Sequence, residues 1–372
     1  MEVLNGLALA ELLISFIAIY YILTVALNIK AGMTGIPDFG HAMFFAIGGI
    51  VVANLAGRLA AAAAASYLGV SAREAMKLVI TDNTAIMVKV NAALAHMPLV
   101  SIGLIIFSLV VALILGGLIG WLASFPALRL RGDYLAIMLL TASEGLRIFV
   151  MYTKPIMGST PTVGLTTPAL FAFTGNPGLW STIFVLVLAV LVYFFAERFH
   201  NSPAGRLFRA VRDEEDSAEA VGKDIAKVRR DAMIIGSALA ALAGVAYAFS
   251  PTIAGSSIAA QSVFDRVLWT FWPWALMILG GMASNKGITL ATVIVGALIV
   301  GPIRLYKQDI AAALHVTKLG FDVQYFGNAL EYILIAALIL GMLFFRPKGV
   351  IPEPPSWTLK RSEIREILRE KE

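Results

Sequence analysis

Glu144 and Arg147 are the residues of this 372-residue chain whose placement most invites chemistry. They stand three residues apart inside an apolar run, so on a helix they share a face and can pair. An ionisable group at membrane depth costs about 2.5–3.5 kcal/mol on insertion scales and commonly marks function. Two readings stay open: a structural ion pair between packed helices near the outer surface, or a pair at the mouth of a polar path. Asp38 and His41 pose the same choice within residues 31–49, AGMTGIPDFGHAMFFAIGG, where Gly, Pro, Asp and His interrupt an apolar pattern. Irregular backbone at that depth is tolerated only where protein or a water-filled cavity covers it. A broken or re-entrant helix beside such a path is therefore expected there. Glu11 and Glu331 are single cases and read as helix-packing or boundary residues.

Other chemistries find no support. Cysteine is absent, which excludes disulfides, thiolate metal sites and a cysteine nucleophile. His41, His96, His200 and His315 are far apart and show no ligand spacing, so no metal is expected. There is no phosphate-cradling G-x-x-x-x-G-K-[ST], so this chain cannot hydrolyse ATP by itself. No Ser/His/Asp or paired-carboxylate arrangement stands out. No catalytic residue and no cofactor is expected.

The second concentration of charge is residues 201–231, NSPAGRLFRAVRDEEDSAEAVGKDIAKVRRD, the longest polar segment between two hydrocarbon runs. Arg206, Arg209 and Arg212 recur every third residue and would form a slowly drifting basic stripe on a helix. Leu207, Phe208 and Val211 fall between them as a small apolar face. An acidic block containing Glu215 follows, then Ala218 and a stop at Gly222. The pattern predicts a short amphipathic helix pair presenting apolar knobs and both signs of charge to water. The plainer alternative is a solvated loop rich in Arg and Lys.

The elements that must position these groups are membrane helices. The chain is 59% hydrophobic and only 14% charged, with mean hydropathy +0.83, where soluble domains carry about 25% charged residues. The net charge of +5 is a cytoplasmic-loop effect and gives no reason to expect nucleic acid. A span needs roughly 20 apolar residues. Spans are expected near 6–28, 39–62, 99–124, 133–152, 179–198, 231–250, 266–284, 287–305 and 327–345, about nine in all (8–10). The first has no basic n-region or clear cleavage site and reads as a retained span. With 201–230 inside, that loop together with the inner segments 29–38, 125–132, 285–286 and the tail holds about 19 of the 29 Lys and Arg, more than twice the outer share. Residues 60–97 predict an amphipathic helix at the outer interface. Trp269, Trp272 and Trp274 beside Arg266 read as an interfacial aromatic belt. Gly116, Gly117 and Gly120, like Gly280 and Gly281, would let helix backbones approach closely. The echo of ALILGG at 112–117 in ALMILGG at 275–281 hints at an internal repeat.

The order of residues in the polar loop adds a resemblance. Ser202, Pro203, Gly205, Arg206, Ala210, Arg212, Glu215, Ala218 and Gly222 resemble the cytoplasmic coupling loop of ABC importer permeases in its branched-chain amino-acid form. The likeness to the longer, M-type subunit of the Liv-type permeases covers most of the chain. Gly35, Asp38, Phe39, Gly40, His41, Ala42, Phe44, Phe45, Ile47 and Gly48 resemble the family's G-x-x-S-x-G-H-A-x-F-x-x-G element, with Asp38 and Phe39 where Ser and Leu are usual. LRLRGDYLAIMLLTASEGLRI, the G-S-T-P-T-V-G-L loop at 158–165, the region around LGGMASNKG and the closing FRPKGVI each resemble a family segment. In LGGMASNKG, Ser284 and Asn285 interrupt the usual glycine spacing, and residues 65–97 are an insertion.

The resemblance implies an all-α polytopic membrane protein of the prokaryotic plasma membrane. It implies one transmembrane permease domain over 1–372, with a coupling loop at 200–230 and a cytoplasmic tail at 346–372. Implied partners are two ABC ATPase subunits, a second Liv-type permease subunit, an extracytoplasmic substrate-binding protein and the lipid bilayer. Arg206, Leu207, Phe208, Arg209, Val211, Arg212, Glu215, Ala218 and Gly222 would couple to the ATPase. Asp38, His41, Glu144 and Arg147 are the candidates for the translocation path. The substrates would be leucine, isoleucine and valine, with urea or short amides as the alternative within the family. An ion-driven secondary carrier predicts no partner-docking loop, and a membrane-embedded enzyme needs a polar catalytic cluster at one depth.

Overall fold

Residues 225–249, IAKVRRDAMIIGSALAALAGVAYAF, turn almost wholly small and apolar after their first two turns. Small side chains let other helices close in from every side, and in the computed structural model this helix is the axis of the molecule. Of its most apolar stretch 83% is buried, against 28% for that of the peripheral helix at 132–152. The structure describes residues 2–130, 132–157, 164–303, 306, 323–346 and 348–353. Expectations for the side chain of Glu331, for 158–163, for His315, for 307–322 and for the tail beyond 353 concern residues outside these.

The long helices are α1 (Glu2–Leu27, continued by a π-turn to Gly32), α2 (His41–Ala63), α5 (Pro98–Arg129), α6 (Gly132–Tyr152), α7 (Pro177–Asn201), α10 (Ile225–Phe249) and α12 (Asn285–Ile303). These seven, among the described residues, are long and apolar enough to cross a membrane. Between them lie α3 (Ala72–Thr81), α4 (Asn83–Leu94), α8 (Pro203–Asp213) and α9 (Glu215–Ala220). Further along are α11 (Trp272–Gly280) and α13 (Val323–Phe345), the latter covering the span expected at 327–345. The fold is all-α and polytopic. Its described strands are two dipeptides, β1 (Leu165–Thr166) and β2 (Ser257–Ile258), paired antiparallel.

Glycines set the central crossings. A Cβ on Gly48 of α2 would strike the Ala241 carbonyl of α10, and one on Gly244 of α10 would strike the Phe45 carbonyl of α2. Gly116 and Gly120 of α5 lie against Ser237 of α10 in the same way. The Gly280–Gly281 pair does something different. Gly280 ends α11 against Gly287, and Gly281 turns the chain at φ +107. The two LGG stretches thus occupy unlike places, one within a helix and one ending a helix.

Two expectations change at α11. The span at 266–284 is a π-turn, Val267–Phe271, followed by α11. It starts where Asp265 Oδ1 accepts from the backbone N–H of Val267 (2.8 Å) and Leu268 (3.0 Å), and it stops at Gly281. At 1.5 Å per residue this is about 21 Å, short of the roughly 30 Å hydrocarbon layer. Trp269 and Trp272 form no belt either, being 3% and 4% exposed. Trp269 stacks on Phe45 (4.0 Å) and donates to the Ser262 carbonyl (2.6 Å). Aromatic rings carry more apolar area than any other side chain, and here they fill the gap between α1, α2 and α10.

Residues 65–97 bury one face against the rest of the chain. Ala75 and Val79 of α3 and Met87 and Val90 of α4 are buried within the protein. Asn83 Oδ1 accepts from Thr166 N (2.5 Å), and Asn91 Oδ1 accepts from Ala169 N (2.8 Å). The amphipathic pattern expected here is thus present on α3, whose Arg73, Glu74 and Lys77 are exposed, and the pair α3–α4 also holds the β1 loop. Glu11 packs against Gly178 in the first turn of α7, where the helix dipole favours a carboxylate.

Candidate functional site

The polar loop folds as two capped helices. Ser202 Oγ accepts from Gly205 N (3.1 Å), and Pro203 occupies the first turn of α8, where its missing N–H costs nothing. An extended Glu214 separates α8 from α9. At the end of α9, Lys223 N donates to Ala218 O (3.1 Å) and Gly222 N to Glu219 O (2.8 Å), a Schellman motif with Gly222 at φ +75. A Cβ on Gly222 would meet nothing within 4 Å, so its requirement is conformational rather than steric.

The faces of this loop differ from the sequence expectation. Phe208 and Val211 are 4% and 0% exposed, Ala218 is buried and Leu207 half-buried. An amphipathic helix lying across the ends of membrane helices turns its apolar face to them, not to water; Phe208 packs edge-on against Phe199 of α7 (5.2 Å). The arginine stripe splits for a geometric reason. Three residues advance about 300° around a helix, so the row drifts by about 60° at each step. Arg206 stays exposed and caps the Asn201 carbonyl (3.1 Å). Arg209 and Arg212 turn inward.

Those two arginines clamp Glu353. Arg209 Nη1 meets Oε1 at 3.2 Å and Arg212 Nη2 meets Oε2 at 2.8 Å. Arg209 also donates to His200 Nε2 (2.9 Å); a guanidinium only donates, so the His200 proton sits on Nδ1. Arg212 donates to the Gly32 carbonyl at the end of α1 (2.8 Å) and to Asp213 (2.9 Å). Burial opposes the Arg212 charge, but Asp213 and Glu353 more than offset it and hold its pKa above the usual guanidinium value. Glu215 pairs with Arg229 of α10, whose Nη1 donates to the Ala127 carbonyl of α5 (3.3 Å). The loop is thus tied by charged side chains to α1, α5, α10 and the tail. To water it shows Arg206, Asp213, Glu214, Asp216, Glu219 and Val221, the last 71% exposed.

Two of the sequence motifs meet beside this clamp. Val350 N donates to Leu279 O (2.9 Å) and Ile351 N to Gly280 O (3.2 Å), while Gly349, at φ +80, lies on Gly281. Ser284, which breaks the glycine spacing, caps α12 through Gly287 N (3.2 Å). Asn28 Oδ1 holds the turn by accepting from Ala283 N (2.8 Å), with Ala283 at φ 60. Residues 29–38, Ala127 and 285–286 thereby gather at one end of the molecule with the loop and residues 348–353.

Asp38 and His41 come together with a residue the sequence reading passed over, Lys30. All three are 0% exposed. The Lys30 ammonium bonds Asp38 Oδ2 and His41 Nδ1 (3.0 Å) and lies 4.2 Å from the Phe44 ring centre. His41 Nε2 meets the Leu23 carbonyl at 3.0 Å, which requires a proton there and leaves the Nδ1 lone pair for Lys30. Asp38 Oδ1 accepts from Gly40 N (3.0 Å), and Trp274 Nε1 donates to the Asp38 carbonyl (3.0 Å). Gly236 of α10 leaves room for the Lys30 stem. A neutral cluster of this kind fixes the irregular 35–40 turn joining α1 to α2, which is where a broken segment was expected.

Glu144 and Arg147 do pair on α6, at 2.7 Å, with side chains 29% and 25% exposed. Arg266 approaches Glu144 at 3.6 Å. Neither residue of this pair contacts the Lys30 cluster, so the four path candidates form two separate groups. Lys30 was hidden because eight residues and an irregular turn separate it from Asp38. Glu353 was hidden because nothing in a polar tail marks one carboxylate.

The sequence model of a family described as "Branched-chain amino acid transport system / permease component" matches residues 9–304. The chain belongs to this permease family. Among curated relatives, the permease is 36% identical over 352 residues to a probable branched-chain amino acid transport permease protein LivM of Methanocaldococcus jannaschii, covering 93% of this chain and 94% of the relative. It is 25% identical over 362 residues to the high-affinity branched-chain amino acid transport system permease protein LivM of Escherichia coli, covering 90% and 68%. The LivM of Salmonella typhimurium is equally similar, 25% over 362 residues. No solved structure matches the permease. It is a multi-pass protein of the prokaryotic plasma membrane.

Proposed function

We propose that this permease is the M-type membrane subunit of an ATP-driven importer of leucine, isoleucine and valine. In this reading it forms half of a translocation path with a second Liv-type permease subunit. An extracytoplasmic binding protein delivers the substrate, and two ABC ATPase subunits supply the energy. The chain itself hydrolyses nothing. The relatives' names support the substrate class. The observation that carries the coupling is the wiring of residues 203–222: Arg212 reaches the end of α1, Arg229 joins Glu215 to α5 and α10, and Glu353 ties the tail to both inward arginines. A loop that only joined two spans would have no use for ties to four elements. Displacing it moves the 32–41 turn and, with it, the Lys30–Asp38–His41 cluster.

The contact with the ATPase then falls to the exposed side of the loop, with Arg206 and Glu219 as its charges and Val221 as its apolar knob. Phe208, Arg209, Val211, Arg212, Glu215 and Ala218 transmit from beneath, Leu207 lies at the edge and Gly222 sets the turn. Asp38 and His41 act on the path by holding the α1–α2 turn, Glu144 and Arg147 from the side of α6. Reconstitution of the four kinds of subunit tests the reading: leucine uptake should require ATP and the ATPase. Uptake by this chain alone on an ion gradient would refute it.

A further inference from the structure

We propose that the cavity between the inner ends of α7 and α12 binds the phosphodiester of a membrane lipid headgroup. Its volume is about 270 Å³, far above the roughly 10–15 Å³ that one water needs. Two buried donors line it, His200 at 6% exposed and Asn285 at 5%. The Arg209 guanidinium occupies His200 Nε2, so the ring carries its proton on Nδ1, and that atom has no acceptor among the described residues. Asn28 Oδ1 is committed to Ala283 N, so Asn28 Nδ2 donates to Asn285 Oδ1 (3.4 Å). That contact fixes the Asn285 amide with Nδ2 on its other side, again without an acceptor among the described residues. A buried donor left in this state gives up its hydration and gains no bond. Two of them on one cavity mark a place for an acceptor-rich group.

Charge and depth narrow that group. Lys286 lines the same cavity, exposed and without an ion pair among the described residues. The first turn of α12 adds the positive end of a 19-residue helix. Glu197, whose carboxylate accepts from Asn201 Nδ2 (3.4 Å), limits how much negative charge can enter. A phosphodiester carries one charge and a phosphomonoester about 1.5 to 2 at neutral pH, so the diester answers Lys286 with less repulsion from Glu197. The helix faces next to the cavity are apolar and open. Phe194, three residues before Glu197, is 64% exposed, and Leu191, three before that, 59%. Leu290, four residues after Lys286, is 39% exposed, and Val293 41%. These offsets put them on the same helix faces as the cavity residues, where acyl chains lie once the headgroup is seated. A soluble anion has no use for that surface. Because His200 also receives Arg209, the lipid sits one hydrogen bond away from the clamp on Glu353.

The test uses the full-length chain, purified in detergent and stripped of lipid, with native mass spectrometry counting bound lipid as three lipids of identical acyl chains are titrated. Phosphatidylglycerol should fill one saturable site. Phosphatidate, a monoester, should bind more weakly, and diacylglycerol, which lacks the phosphate, at least about tenfold more weakly. This series needs no variant, so folding cannot confuse it. Lys286→Gln, at an exposed position, should weaken phosphatidylglycerol about tenfold. Arg198→Gln, which removes an exposed cation of α7 outside the cavity, should change nothing. Equal binding of diacylglycerol would show that only the apolar faces matter, and equal losses in the two variants would show diffuse attraction between charges. Displacement by inorganic phosphate as readily as by the same concentration of phosphatidylglycerol would assign the cavity to a soluble anion. No saturable binding would leave this face to a protein partner. Each of these results would overturn the proposal. None of the readouts involves transport, so the substrate reading above stands or falls separately.

Discussion

Replacing Lys30 with methionine should destabilise the permease far more than replacing Lys30 and Asp38 together. Both side chains are 0% exposed, so no solvent screening reduces the interaction. Methionine keeps the apolar stem beside Gly236 but leaves the Asp38 carboxylate with only the Gly40 N–H as a donor, because the His41 ring turns its Nδ1 lone pair toward it. Removing one partner of a buried pair costs on the order of 3–5 kcal/mol, mostly because the other stays charged and uncompensated. Asp38→Asn should cost a similar amount, since the ammonium then keeps only His41 and the Phe44 ring. In the double variant, Lys30→Met with Asp38→Asn, neither charge remains. The introduced amide oxygen can still accept from Gly40 N–H, so the loss should shrink to about 1–2 kcal/mol. Resistance of the purified chain to heating, read as the monodisperse fraction, gives the ranking. Additive losses, or an Asp38→Asn chain as stable as the unaltered one, would show that Lys30 and Asp38 are not a mutually dependent pair.

Glu353→Gln should loosen the clamp on Arg209 and Arg212; with Glu353 24% exposed the cost is about 1–2 kcal/mol, and leucine transported per ATP hydrolysed should fall while hydrolysis continues. Parallel uptake and hydrolysis assays in one vesicle preparation check this. Gly222→Val forces a β-branched residue to φ +75, at about 1–2 kcal/mol; insertion should be unchanged, and less ATPase should co-purify. Glu144→Gln and Arg147→Gln should each lose only about 0.5–1 kcal/mol, because the pair is a quarter or more exposed, and a double-mutant cycle on uptake measures how far they act together.

The spans and the loop were legible because their signals are local. Apolar length marks a membrane helix, and Ser202, Pro203 and Gly222 mark helix ends wherever they occur. The side each residue faces was not local. Phe208 and Val211 look like knobs for a partner until α7 is placed beside them, and Trp269 looks like a belt residue until Phe45 stacks on it. Within the site, Asp38 and His41 were conspicuous as polar residues in an apolar run, but their cation was not. Lys30 read as one more inner positive charge, and only the fold of the 35–40 turn brings it onto both. The meeting of FRPKGVI with Gly280 and Gly281 was equally invisible, because each motif supplies half of one contact.

Leucine uptake into vesicles that hold this permease with its second permease subunit, the ATPase and the binding protein tests the central claim most directly. The account predicts uptake that needs ATP inside, survives collapse of the ion gradients, and drops sharply with Glu215→Lys, which sets a second cation against Arg229. Uptake that persists without the ATPase, follows an ion gradient and ignores Glu215→Lys would contradict it.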